Sequence, residues 1–165
     1  MRQIILTTER TQLRKFSHAD LENLTAILGD SEVMTFSMTG AIGKEQVAEL
    51  ISTWISDYEK NILAPWAIIY QNRLIGYAGI DTRIVEGQTK QQITFRLSRD
   101  CWNKGLGTEL AQSIKDYALI NLKLEELVAI VDPQNKASIN ILKKIGMVFD
   151  KTINYGGLTL DLYKV

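Results

Sequence analysis

A short stretch in the middle of this chain of 165 residues carries the residue types and spacing best suited to chemistry, Asn103-Lys104-Gly105-Leu106-Gly107-Thr108. Upstream, Ile93, Phe95 and Leu97 alternate with Thr94 and Arg96, the period of a strand with one buried face. Downstream, Leu110, Ala111, Ile114, Ala118 and Leu122 recur along one side of a helix. The glycines therefore sit between a strand ending near Ser98 and a helix starting near Gly107. Glycine allows a sharp turn there and lets a bulky anion approach the amide groups. The first N–H groups of a helix lack internal partners and lie at the positive end of its dipole. A phosphate or diphosphate is the natural ligand; a plain tight turn would have the same spacing. A dinucleotide loop would want a third glycine near Leu110, and a nucleoside-triphosphate loop would end in Gly-Lys-Ser/Thr. Neither is present.

Other chemistry-bearing residues are sparse. His18 is the only histidine, and an imidazole there could act as a base near neutrality; a solvated side chain at a helix start is the favoured reading. Cys101 is the only cysteine, which excludes an internal disulfide and a cysteine-based zinc cluster. Asn135 and Ser138 fall at the start of a helix, where Asn is among the best caps and Ser is common in the first turn.

The elements that must position these residues read in order. Thr11 to Phe16 forms an edge strand. Ser17 caps a helix carrying Leu21, Leu24, Ile27 and Leu28, with Asp20 placed for a capping box. Ser31 to Gly43 is weakly patterned and can lie over a pocket as an adaptable lid, or equally be plain connecting structure packed by its own side chains. A longer helix, Lys44 to about Asn61, turns Val47, Ile51, Trp54, Ile55 and Tyr58 inward. Trp66–Tyr70 and Arg73–Asp81 form a hairpin across Gln71-Asn72, and Gly76 and Gly79 mark a bulge or a close approach. Thr82 to Lys90 reads as a polar turn before the central strand. Leu127–Val131 is a continuous apolar run, a strand buried on both faces and parallel to Gln92–Ser98 through the helical crossover. A second helix starts near Asn135, turns Ala137, Ile141, Leu142 and Ile145 inward, and stops at Gly146. Val148–Ile153 and Leu158–Val165 close the chain as a hairpin.

Composition fits a soluble globular chain, 45% hydrophobic and 23% charged. Nineteen basic residues balance nineteen acidic ones, so no global field favours nucleic acid or an anionic membrane. No apolar run approaches the roughly 20 residues that span a bilayer, and the first residues are too short an apolar run for a signal peptide. A reducing, cytoplasmic setting fits the lone cysteine. No repeat or low-complexity linker divides the chain, so residues 1–165 are expected to form one domain.

Several strings together resemble a known family. They are Trp102-Asn103-Lys104-Gly105-Leu106-Gly107-Thr108-Glu109, Val131-Asp132-Pro133-Gln134-Asn135-Lys136-Ala137-Ser138 and Lys144-Ile145-Gly146-Met147, with the opening Leu6–Arg14 and the closing Asn154-Tyr155-Gly156-Gly157. In this order they resemble the GNAT superfamily of acetyl-CoA-dependent N-acetyltransferases, nearest its ribosomal-protein N-terminal (RimJ/RimL-like) branch. The resemblance implies a mixed α+β fold: a mostly antiparallel twisted sheet of roughly six to seven strands with one splayed parallel pair, and about four helices. It implies acetyl-CoA as cofactor, its diphosphate on the backbone of Asn103, Lys104, Gly105, Leu106, Gly107 and Thr108. The pantetheine arm would meet Phe95 and Leu97, Asn135 would contact the cofactor, and Ser138 would donate to the leaving sulfur. No metal is implied.

Two positions depart from the family. Leu142 stands where many members carry an acidic tyrosine, and Gln92 where relatives in the branch often carry glutamate. No base is assigned; Asp81 and Glu86 are carboxylates near the right strand ends, and ordered water is an equal candidate. The acceptor would be a peptide N-terminus, an amino acid or another small amine, handled by a monomer or homodimer with no nucleic acid or membrane partner. A non-catalytic coenzyme A or acyl-CoA sensor is the alternative.

Overall fold

The computed structural model describes residues 2–165. A single sheet runs through it in the order β1-β2-β3-β4-β5-β6-β8-β7. The strands are β1 Ile4–Thr7, β2 Thr11–Arg14, β3 Trp66–Tyr70, β4 Arg73–Val85, β5 Gln88–Leu97, β6 Val128–Val131, β7 Val148–Tyr155 and β8 Leu158–Lys164. Four helices flank them: α1 Leu21–Leu28, α2 Lys44–Glu59, α3 Leu106–Asp116 and α4 Lys136–Lys144. The mixed α+β architecture is the expected one, with eight strands rather than six or seven.

Alternation along the strands assigns each face its cover. Ile68, Ile75, Ala78, Ile80 and Ile93 point to one side, where Leu106, Leu110, Ala111 and Ile114 of α3 and Ile139 and Leu142 of α4 close the main core. Ala67 and Leu74 point to the other and pack with α1 and α2 through Leu24, Leu28, Val47, Ile51 and Trp54. A third cluster, Val85, Val128, Ile153, Leu160 and Leu162, fills the far end of the sheet.

Three hairpins turn on two-residue loops whose central residues both have positive φ, the conformation that matches strand twist. They are Gln71-Asn72, Glu86-Gly87 and Gly156-Gly157. The second of these corrects the expected polar turn at Thr82–Lys90. The chain stays paired from Asp81↔Gln92 out to Val85↔Gln88, so β4 and β5 form a long arm that turns only at Glu86-Gly87. β1 is the added strand; Ile5 and Leu6 pack partly buried against the main core.

Helix ends follow the residues. Ser17 N–H donates to Asp20 Oδ2 at 2.9 Å, the capping box expected there, although its first turn, His18–Asp20, is a 3₁₀ turn before α1. Asp20 is buried and also accepts both Arg14 Nη atoms at 2.9 Å, tying β2 to the root of α1. Burial alone would raise its pKa; the bonds from Arg14 and the Ser17 amide outweigh that and hold it below the ordinary carboxylate range. α4 stops in a Schellman arrangement: Gly146 takes φ +88, its N–H reaches Lys143 O, and Met147 N–H reaches Leu142 O.

Candidate active site

The parallel pair β5/β6 parts almost at once. Gln92↔Val128 is its one register pair, after which β5 continues to Leu97 while β6 pairs on its other side with β8. The backbone shows which groups this frees. Ser98 N–H donates to Ile75 O of β4 at 2.7 Å, and in an antiparallel ladder every second residue turns its N–H and C=O the same way. Thr94 and Arg96 therefore face β4, and Ile93, Phe95 and Leu97 turn their peptide groups toward the gap. Trp102 Nε1 closes one of them by donating to Leu97 O at 3.0 Å.

The glycine loop follows directly. After a 3₁₀ turn at Arg99–Cys101 the chain passes Asn103 at φ +59 and Gly105 at φ +77, and Gly105 is the N-cap of α3. Side chains rarely adopt that φ, so Gly105 is where glycine's freedom is required. Among the described residues, no protein group accepts from the backbone N–H groups of Asn103 through Thr108. Unbonded amides at the start of a helix are groups that can take up an anion such as a phosphate.

The two glycines do different jobs. A Cβ on Gly107 would lie 2.8 Å from Ile141 Cδ1 and 3.9 Å from Leu97 Cδ1. Gly107 therefore lets α3 lie close against Ile141 of α4, and is a packing residue as well as a loop residue. Leu106 is fully buried in the main core, so its side chain serves packing and does not face a ligand. Asn103 and Lys104 are exposed, and the Lys104 carbonyl accepts from Arg10 Nη1 at 2.8 Å.

Arg10 was not among the residues expected at the site. It lies in the β1–β2 turn and pairs with Glu109, in the first turn of α3: Nε–Oε2 is 2.7 Å and the Arg10 N–H reaches Oε1 at 2.7 Å. Thr8 Oγ1 donates to the same Oε1 at 2.6 Å. Burial would raise the Glu109 pKa, but these bonds from Thr8 and Arg10 outweigh it and lower it. The partners are ninety-nine residues apart, so no local pattern could have revealed the contact.

Asn135 and Ser138 stand at the start of α4, just past the end of β6. Asn135 is a true N-cap: its Oδ1 accepts from Ser138 N–H at 3.2 Å. The cap uses one end of the amide and leaves Nδ2 available. Ser138 is half-buried.

The opposite face of the split carries different groups. Asp81 and Gln92 are Cα partners, so they stand side by side where the strands part. Gln92 is buried, and Asp81 forms an ion pair with Arg83 at 2.7 Å. Burial works against the Arg83 charge, which Asp81 and then the Tyr155 hydroxyl more than offset. Glu86 is not at the site: it sits at the tip of the β4–β5 arm, about 16 Å along the strand from Asp81, and pairs with Lys151. His18 is exposed in its turn. Residues 31–43 run over this face. Arg96 Nη1 donates to Val33 O at 3.0 Å and Nε to Tyr77 Oη at 3.1 Å, Arg99 pairs with Asp30 and Glu32, and Met38 abuts Gly156 at the tip of the last hairpin.

The chain matches the acetyltransferase (GNAT) domain family over residues 10–148. It belongs to the GNAT acetyltransferases and is an acyltransferase. Among its relatives, the uncharacterized protein YkkB of Bacillus subtilis strain 168 is 31% identical over 163 residues, covering 96% of this chain and 94% of that protein. The uncharacterized N-acetyltransferase YnaD of the same organism is 26% identical over 162 residues, 96% and 93% of the two chains. RimL, a ribosomal L7/L12 α-N-protein acetyltransferase solved with coenzyme A, shares the fold with a TM-score of 0.83 at 14% identity, over 99% of this chain and 97% of that one. Among the described residues no helix is long and apolar enough to cross a membrane, and no group of His, Cys, Asp and Glu gathers to hold a metal ion.

Proposed function

We propose that this chain, as one domain, transfers acetyl from acetyl-CoA directly to a primary amine, a peptide N-terminus, an amino acid or another small amine. One observation supports the reading: no protein group accepts from the six amides of Asn103–Thr108, and the gap-facing peptide groups of Phe95 and the N–H of Leu97 are likewise unpaired where β5 and β6 part, the Leu97 carbonyl being taken by Trp102. When bound, the cofactor supplies an activated thioester. The loop amides hold its diphosphate, Asn135 Nδ2 is free for a further contact, and Phe95 and Leu97 line the arm. A gap-facing N–H at Phe95 is placed to donate to a carbonyl oxygen as charge develops on it.

In the reaction the amine nitrogen forms the new C–N bond, the C–S bond breaks, and the nitrogen loses a proton to solvent. Ser138 donates a hydrogen bond to the departing sulfur, whose thiol by analogy with cysteine has a pKa of about 8.5. A serine hydroxyl is no strong acid, so its role is to stabilise the thiolate or relay a proton. Asp81 is the carboxylate nearest the split, and its pairing with Arg83 favours ordered water over a free carboxylate as proton acceptor. Gln92, an amide, cannot take a proton at neutral pH.

Release of free thiol from acetyl-CoA with a panel of amines tests the reading. Ser138→Ala is expected to lower turnover by roughly tenfold to a hundredfold and to change coenzyme A affinity by less than about twofold. Equal turnover in the variant would remove Ser138 from the reaction. Coenzyme A binding with no thiol release from any amine would leave a sensor.

A further inference from the structure

Glu109 sets an electrostatic problem for the phosphate loop. A carboxylate in the first turn of a helix suits the dipole, yet here it stands beside amides that must receive a doubly charged diphosphate, and like charges repel. The β1–β2 turn meets it. Arg10 covers Glu109 with its Nε and its backbone N–H. Its Nη1 fastens the Lys104 carbonyl, one residue before Gly105. Its Nη2 lies 3.4 Å from the position a Gly105 Cβ would take, so the guanidinium rests against the loop itself. Thr8 Oγ1 completes the set on Glu109 and is held by Thr11 Oγ1 at 2.7 Å.

We propose that Arg10 is a positioning residue for the cofactor's diphosphate: it cancels the Glu109 charge beside the phosphate loop and pins the Lys104 carbonyl, keeping the loop amides turned outward. This rests on the cofactor reading above. Lys104 lies between two residues of positive φ, Asn103 and Gly105, so the direction of its peptide groups decides where the neighbouring N–H groups point. The guanidinium fork can bond a carboxylate and a carbonyl together, which an ammonium cannot do with the same geometry.

A purely mechanical staple would use the same contacts, and charge separates the two. Binding of coenzyme A is measured by calorimetry at low salt, with melting temperature followed for each protein. Arg10→Ala leaves the Glu109 carboxylate facing the diphosphate and is expected to weaken binding by roughly tenfold, the loss shrinking as salt rises. Adding Glu109→Gln in that background removes the repulsion and is expected to restore most of the affinity, although it deletes another contact. Glu109→Gln alone leaves the Arg10 charge free and is expected to tighten binding a few-fold; this variant carries the test even if Arg10→Ala fails to fold. Weaker binding in Glu109→Gln, or unchanged binding in Arg10→Ala, would overturn the proposal. Failure of the parent protein to bind coenzyme A would overturn the cofactor reading and this inference together.

Discussion

β5 separates two half-sites built on different principles. Toward α3 and α4, the glycine loop and the unpaired edge of β5 offer backbone N–H groups held by a helix start and a sheet. Toward α1 and α2, the surface at Asp81, Gln92 and Arg96 is made of side chains, and residues 31–43 reach Arg96, Arg99 and Gly156 beside it. A site made of backbone depends on a few glycines and a fixed chain path. One made of side chains and loops can change its ligand without changing the fold. The family is accordingly readable on the α3 side, and we propose that the acceptor is chosen on the other.

The largest effect expected from perturbing this division falls on the α1 side. Asp20→Ala leaves the Arg14 guanidinium buried without its partner, a change that costs about 3–5 kcal/mol in comparable pairs; chemical denaturation checks it. The same contact sets a pH limit. The folded-state pKa of Asp20 lies below its unfolded value near 3.9, so its contribution is present above that pH and is lost as pH falls through the folded value. Glu109, depressed in the same direction, adds to the loss. Melting temperature should therefore drop below about pH 4, and less steeply in Asp20→Asn.

The two loop glycines sharpen the contrast next. Gly107→Val drives side-chain atoms into Ile141 and is expected to cost about 1–3 kcal/mol of stability. Gly105→Val instead strains a positive φ that costs roughly 1–2 kcal/mol or more for a residue with a Cβ and moves the amides the ligand needs. Coenzyme A affinity should fall at least tenfold in the Gly105 variant and by clearly less in the Gly107 variant, although both lose stability. Parallel losses in both variants would erase the distinction between packing and binding.

The smallest effect lies in residues 31–43. Arg96→Met removes the bond to Val33 O and the bond to Tyr77, on the face away from the phosphate loop. Acceptor KM should rise a few-fold, in line with about 1 kcal/mol for a hydrogen bond, while the KM for acetyl-CoA stays fixed. A change in the acetyl-CoA term alone would place residues 31–43 on the wrong half of the site.

What could be read from the residues follows the same line. The passage from Ile93 through Gly105 to Ile114 joins a two-residue period to a 3.6-residue period within a short span, so strand, loop and helix were all visible. Asn135, Gly146 and the Gln71-Asn72 turn were legible because capping and tight turns are local demands. The long β4–β5 arm was hidden by polar residues at Thr82, Arg83, Gln88 and Lys90, since an arm with a solvated face lacks the apolar alternation of a core strand. Gly87, the residue type best able to take a positive φ, was the one signal for it, with Ile84 and Val85 in the flank. Arg10 and Glu109 could not be paired from sequence, because contacts across the sheet have no spacing rule. Tertiary packing also decided Gly107, where Ile141, far along the chain, sets the need for a missing Cβ.

Amide hydrogen exchange with and without coenzyme A tests the central claim most directly. Slowed exchange is predicted at Asn103–Thr108, Phe95 and Leu97, with Thr94 and Arg96, already bonded to β4, little changed. Loop amides that exchange at the same rate with saturating coenzyme A would contradict the account.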